Sequence, residues 1–210
     1  MDAARFWDRA APRYARQPIA DLDAYEHTLI RTAEHLDERM RVLELGCGTG
    51  TTALRLAGQV AHLTGTDISP GMIEIAREKV AAHAVANVEI AAADIATGRG
   101  LAGLRPDAVL AFNVLHLVRD LDGALARIAA LLLPGGIFIS KTPCLGGIGP
   151  VSAGFRVMVG AMQLVRKAPF VGFVSTGDLE RGIERAGFEI VERGDFPKRP
   201  PRHFVVARKR

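Results

Sequence analysis

Val42-Leu43-Glu44-Leu45-Gly46-Cys47-Gly48-Thr49-Gly50 joins a short apolar run to three glycines at alternate positions. The run has the length and composition of a buried strand, and residues 51–56 resume directly after it with helical character. Glycines so placed let the backbone turn sharply and approach a ligand with no Cβ in the way, so strand, turn and helix together suggest a nucleotide-like ligand. The turn is one residue shorter than the G-x-G-x-x-G dinucleotide fingerprint and carries an acid, Glu44, inside the preceding strand.

Working downstream, residues 60–66 read as a second strand ending at Asp67, which completes a βαβ unit of roughly thirty residues. Ser69 and Pro70 then start a helix as hydroxyl N-cap and first-turn proline, with Met72, Ile73, Ile75, Ala76 and Val80 on its buried face. Residues 88–92 form a third strand ending near Asp94, and 107–112 a fourth. A helical stripe of Leu121, Leu125, Ile128 and Leu132 stops at Leu133-Pro134-Gly135-Gly136, before a fifth strand at 137–140. The alternation predicts an α/β fold with a doubly wound, mostly parallel sheet, helices on both faces, and ligand at the carboxyl ends of the strands.

Upstream, Leu22, Tyr25, Leu29, Ala33 and Leu36 recur at helical spacing and predict a helix that buries this stripe. Phe6, Trp7 and Tyr14, with Pro12 and Pro18 limiting helix length, predict a short helix and then an ordered arm. Residues 143–174 break the alternation and read as an insertion. A helix opened by Ser175 and Asp178 and closed by Gly187 follows. Residues 188–192 and 203–208 then pair as terminal strands, with Pro197, Pro200 and Pro201 confining their connection to a loop.

A chain of 210 residues that is 49% hydrophobic has enough apolar material for one domain over 1–210. Residues 1–40 make an N-terminal arm and helix, and 143–174 an insertion or lid after the fifth strand. No apolar run is long enough to span a bilayer, and the start of the chain is charged, which predicts a cytoplasmic protein. Cys47 and Cys144 have neither disulfide-framework nor metal spacing, so two free thiols and no metal site are expected. The net charge of +4 is modest for this length, and Lys198, Arg199, Arg202, Arg208, Lys209 and Arg210 read as a solvated basic tail.

Asp67 follows Gly46 by 21 residues, at a strand end where a carboxylate can accept from both ribose hydroxyls of an adenosine-type ligand. Asp94, or the backbone beside it, is placed for the adenine amino group, with Ile68 and Ile95 flanking the ring. Simpler readings exist, Glu44 as a salt-bridged strand acid and Asp67 as a helix cap, but capping does not explain three acids at one sheet edge.

Glu44-x-Gly46-x-Gly48-x-Gly50, Asp67 and Asp94 resemble the successive signature motifs of class I S-adenosylmethionine-dependent methyltransferases. The resemblance covers most of the chain, including Leu133-Pro134-Gly135-Gly136 and the closing strand pair. It implies a Rossmann-like seven-stranded sheet with one antiparallel C-terminal strand. It also implies S-adenosyl-L-methionine as cofactor and S-adenosyl-L-homocysteine as product. On that reading Gly46, Cys47, Gly48 and Gly50 pass along the methionine part, Asp67 takes the ribose and Asp94 lies by the adenine. Tyr14, Ile68, Met72, Ile95 and Asn113 complete the cofactor pocket, together with Glu44 of the preceding strand. The stretch Trp7-Asp8-Arg9-Ala10-Ala11-Pro12-Arg13-Tyr14 is similar to the arm of ubiquinone/menaquinone-biosynthesis C-methyltransferases, where it closes over cofactor and substrate. The insertion at 143–174 departs from those enzymes.

Methyl transfer from a sulfonium is an in-line displacement on an activated carbon, so the protein mainly aligns the nucleophile and excludes water. His116, just after the fourth strand, is the candidate base, with a loop histidine as the plainer reading. Tyr25 and His27 are candidates for the substrate pocket, Tyr25 being read first as a core residue of its helical stripe, and Lys141 for orienting an anionic acceptor, or else a surface lysine. His203 reads as structural. Phe155, Met158, Val159, Met162 and Val165 share one helical face, read first as packed on the sheet. The second reading is a lid whose Phe155, Met158 and Met162 meet a hydrophobic acceptor, flanked by Arg156, Arg166 and Lys167 for a phosphate or bilayer.

The expected function is methylation of a small, hydrophobic metabolite; the alternatives are a phospholipid or quinone methyltransferase at the membrane surface and a non-catalytic cofactor-binding protein. Asn113 is followed by Val114 and Leu115 rather than the Pro-Pro-aromatic run of base-amino methyltransferases, which disfavours nucleic acid. The expected assembly is a monomer or homodimer.

Overall fold

Val42, Leu43 and Leu45 are almost completely sealed from solvent because β1 (Arg41–Leu45) lies in the interior of the sheet, with β2 (His62–Asp67) on one side and β4 (Ala108–Phe112) on the other. The structure is a computed structural model describing residues 3–146, 150–164, 168–198 and 201–210. Its sheet has seven strands, completed by β3 (Val88–Ala92), β5 (Ile137–Pro143), β6 (Phe188–Lys198) and β7 (Pro201–Lys209), in the order β3-β2-β1-β4-β5-β7-β6. All neighbours pair in parallel except at β7, which runs antiparallel to both β5 and β6. The reversed strand is the one the resemblance implies.

Alternate residues of the central strands feed two cores. Leu43, Leu45, Val109 and Phe138 face α5 (Leu121–Leu131) and α7 (Thr176–Arg185), while Val42, Leu63, Leu110 and Ile139 face α3 (Thr51–Leu56) and α4 (Pro70–Ala82). The second face also takes Leu29 of α2 (Leu22–Ala33). Caps fall where the sequence puts them. Ser69 accepts from Met72 N at 3.2 Å, and Ser175 accepts from Asp178 N at 3.1 Å while donating to its carboxylate at 2.6 Å.

Four expectations are corrected. First, α1 (Ala3–Arg16) runs through Pro12 rather than stopping at it. The lost internal hydrogen bond is outweighed by tertiary anchoring, since Ala11 has no exposure and Asp8 is bonded to the start of α4. Second, Pro197 and Pro201 lie within strands rather than a loop, with Lys198 paired to Pro201. Pro197 sits on the edge strand and Pro201 opens β7, both positions that spare the ladder a missing N–H; Arg199 and Pro200 lie outside the described residues.

Third, the basic tail is solvated only in part: Arg208 and Arg210 are exposed, but Phe204 to Ala207 are buried in β7 and Lys209 Nζ donates to Ala129 O and Leu132 O, both at 2.6 Å, closing the end of α5. Fourth, the stripe at 155–162 does form a helix, α6 (Pro150–Leu164), but does not pack on the sheet. Met158 is 49% exposed and Met162 39%, while Phe155 and Val159 are half-buried. The helix is tethered by polar links instead, Ser152 Oγ to Leu145 O and Gln163 Nε2 to Pro169 O, both 2.8 Å, and by Arg156 over the Phe173 ring. Val165, Arg166 and Lys167 lie outside the described residues. Among the described residues, no helix is long and apolar enough to cross a membrane.

Candidate active site

The strand order puts the carboxyl ends of β3, β2, β1, β4 and β5 in one row, and antiparallel β7 brings its first residues to the same edge, Arg202 lying opposite Pro143. A single cavity of about 790 Å³ opens along that row, a size within the usual range for small-molecule sites. Of the residues singled out in the sequence, Tyr14, Glu44, Gly46, Cys47, Gly48, Asp67, Ile68, Met72, Asp94, Ile95 and Asn113 line it, as do His116, Tyr25 and Lys141.

The glycine turn is built as its sequence requires. Gly46 has φ +68°, and a Cβ there would meet Val114 Cγ2 at 2.7 Å. Gly48, at φ +55°, faces the cavity, and its nearest neighbour to a built Cβ is Tyr14 Cε1 at 3.8 Å. Cys47 packs its side chain beneath the turn, where burial raises its pKa and keeps it a thiol; Cys47 and Cys144 are both free.

Three acids surround this turn, each differently placed. Asp67 accepts from Gly48 N at 3.0 Å and Ser69 N at 2.9 Å, so it fixes the turn while forming part of the cavity wall. Burial, outweighing those bonds, raises its pKa. Asp94 accepts from Ala96 N and Thr97 Oγ1, both at 2.8 Å, and so shapes the loop after β3. Glu44 is 3% exposed, pairs with no cation among the described residues, and has Oε2 buried without a hydrogen-bond partner. Burial first, and the nearby Asp67 charge second, push its pKa up to about 8. The salt-bridge reading of Glu44 is therefore not what the structure contains.

On the opposite side of the cavity, α1 and α2 supply Trp7, Tyr14 and Tyr25. The Tyr25 hydroxyl meets Thr52 Oγ1 at 3.3 Å, so this residue serves the core and the cavity wall together. The arm is fastened by Asp8, whose Oδ1 accepts from Ser69 Oγ at 2.7 Å and Gly71 N at 2.9 Å. Asp8 is the only acid of α1, and nothing in the sequence showed which element it would meet. Asp8→Ala should cost about 1–3 kcal/mol at this junction, read as faster hydrogen exchange across 3–16 with β1 and β4 unchanged; equal protection of α1 in both proteins would show that the latch is idle.

His116 lies in the short helical turn Leu115–Leu117, its Nδ1 buried without a partner and its pKa pushed down to about 4 by burial and then by Arg202. Lys141 is 5% exposed, not a surface lysine: its Nζ donates to Ala24 O at 2.9 Å and Thr28 Oγ1 at 2.6 Å. Burial, followed by Arg202, lowers its pKa to about 8. Asn113 adopts φ 55° and donates its N–H to Lys141 O at 2.7 Å, tying the β4 loop to β5.

Four of the selected substrate residues lie elsewhere, as do His203 and Gly50, the latter at the N-cap of α3. His27 packs its ring 4.0 Å from that of Phe196, and neither it nor Phe155, Met158 or Met162 lines the cavity. His203 is buried between Asp195 and Glu180, 2.8 Å from each, and is structural as expected. Arg202, counted in the sequence as part of the tail, lines the cavity.

Comparison with known proteins agrees with this architecture. The family described as a methyltransferase domain matches residues 14–193. Ubiquinone biosynthesis O-methyltransferase of Azorhizobium caulinodans is 31% identical over 208 residues, covering 90% of this chain and 78% of that protein. Among solved structures, phospholethanolamine N-methyltransferase 2 of Haemonchus contortus, in complex with phosphomonomethylethanolamine and S-adenosylhomocysteine, superposes over 100% of this chain and 61% of that one, with TM-score 0.75 and 18% identity. The [4+2]-cyclase SpnF covers 88% of this chain and 80% of its own, with TM-score 0.72 and 21% identity. At those identities the structures speak to the fold alone, whereas the family match spans most of the sequence, and by it the chain belongs to the methyltransferase-domain family.

Proposed function

We propose that the protein transfers a methyl group from S-adenosylmethionine to a small, largely hydrophobic acceptor. The observation that carries this reading is Glu44: a buried carboxylate with an unpartnered oxygen beside a glycine turn whose backbone is open to the cavity. A buried carboxylate without a cation is costly, and the ammonium of a methionine moiety supplies the missing charge. Asp67 and Asp94 would then hold the ribose and adenine, with Ile68, Met72 and Ile95 as apolar walls. When bound, S-adenosylmethionine supplies a sulfonium-activated methyl group.

What remains for the chain is to position the acceptor and exclude water. The Trp7 and Tyr14 side of α1 covers the turn, and His116, kept neutral by burial, places in the wall a weak base that can accept the proton an acceptor oxygen sheds as it is methylated. The quinone-pathway relative named above supports a hydroxyl on a ring-type acceptor. Because the fold also serves a cyclase, binding and methyl release are measured separately: calorimetry with S-adenosylhomocysteine, then methyl release against a panel of hydroxylated aromatic acceptors. Binding without release to any acceptor would favour a non-catalytic cofactor-binding protein. His116→Ala should keep S-adenosylhomocysteine affinity within about twofold and lower turnover by roughly 10²–10⁴; unchanged turnover would remove His116 from the chemistry.

A further inference from the structure

The wall of the cavity is charged at both ends of the sheet edge. Glu44, Asp67 and Asp94 lie at the ends of β1, β2 and β3, where Lys79 and Arg99 also line the wall, while Lys141 and Arg202 lie at the ends of β5 and β7 with Asp21 of the α2 N-cap near them. With about 4.8 Å per strand, Lys141 and Arg202 sit two and three strand positions beyond the glycine turn, past His116 on the β4 loop. They therefore lie beyond the reacting position rather than at the proposed cofactor end.

Neither cation forms an ion pair among the described residues. Lys141 has two of its three N–H donors satisfied by uncharged oxygens, leaving one. Arg202 pairs with no carboxylate among the described residues, although its charge reaches Tyr14, His116 and Lys141 on three separate elements. Asp21 is the acid that acts on Lys141, and its Oδ1 already accepts from Ala24 N at 3.0 Å. Two like charges close together in a partly dry cavity oppose each other, and Asp21, the acid of the wall that acts on Lys141, forms an ion pair with neither of them among the described residues. A planar guanidinium with free donors beside an ammonium is the donor set that recognises a carboxylate or phosphate.

We infer that Lys141 and Arg202 form a subsite for an anionic group, a carboxylate or a phosphate monoester, carried by the methyl acceptor. The inference rests on the methyl-transfer reading for the identity of the guest as acceptor, but the subsite is tested without turnover.

The test is calorimetry on the full chain with benzoate, phenyl phosphate and the neutral isostere benzamide, with and without saturating S-adenosylhomocysteine. At least one anion should bind about tenfold or more tighter than benzamide, and whichever anion is preferred identifies carboxylate or phosphate as the source. In Arg202→Met the preference should fall to near unity, with S-adenosylhomocysteine affinity within about twofold of the parent. Equal affinity for all three probes in the parent protein would overturn the subsite, as would an undiminished preference in Arg202→Met. The parent comparison stands even if the variant does not fold. Failure to bind S-adenosylhomocysteine with the anion preference intact would count against methyl transfer and not against the subsite; the reverse result would count against the subsite alone.

Discussion

Asp67→Ala should weaken S-adenosylhomocysteine binding by roughly a hundredfold or more. Hydrogen bonds to charged groups are worth about 1.5–3 kcal/mol each, and this carboxylate is placed to offer them to ribose hydroxyls while already holding the turn. The substitution removes both roles, because Gly48 N and Ser69 N lose their acceptor when the side chain is cut back. Asp67→Asn separates them: its one carbonyl oxygen can keep a single backbone bond, so its affinity should fall between parent and Ala. A loss of about 1–2 kcal/mol in folding stability would lower the melting temperature by only several degrees, so binding is measured on folded protein. Unchanged affinity in Asp67→Ala would show that the carboxylate is only a brace for the turn.

The contrast between Asp67 and Arg202 shows what the sequence could reveal. Asp67 is legible because it ends a strand whose periodicity, following helix and distance from Gly46 are all local properties. Glycine turn, strand ends and caps are legible for the same reason. Arg202 joins the site through pairing with Pro143, some sixty residues earlier, and periodicity identifies strands without naming their neighbours. Read locally it is one cation in a basic run. Lys141 follows the same logic: its position at a strand end is visible, but its burial depends on Thr28 and Ala24 of a helix far away in sequence. The α6 stripe is the complementary case. Spacing of Phe155, Met158 and Met162 establishes a helical face, yet amphipathicity states only that a face is apolar, and here that face is turned substantially to solvent.

Glu44 gives the second large effect, a proton rather than an affinity. Its pKa in the folded protein is about 8 against an ordinary value of 4.5, so between those limits the native state holds a proton that the unfolded chain has released. Stability therefore falls as pH rises through that window, by at most about 1.4 kcal/mol per pH unit, and is not affected by this group below it. Glu44→Gln should flatten the profile, melting above the parent at pH 8 and close to it at pH 4.5. A ligand ammonium reverses the preference, because only the carboxylate form pairs with it. Binding of S-adenosylhomocysteine at pH 7 should then expel a proton from Glu44, and much less of one at pH 9, where the group is already largely ionised. Calorimetry in buffers of different ionisation enthalpy measures that release directly, and the Gln variant should release none from this site. Proton release equal in parent and variant would place the ligand's ammonium elsewhere, and the floor of the glycine turn would then be a buried acid serving the fold alone.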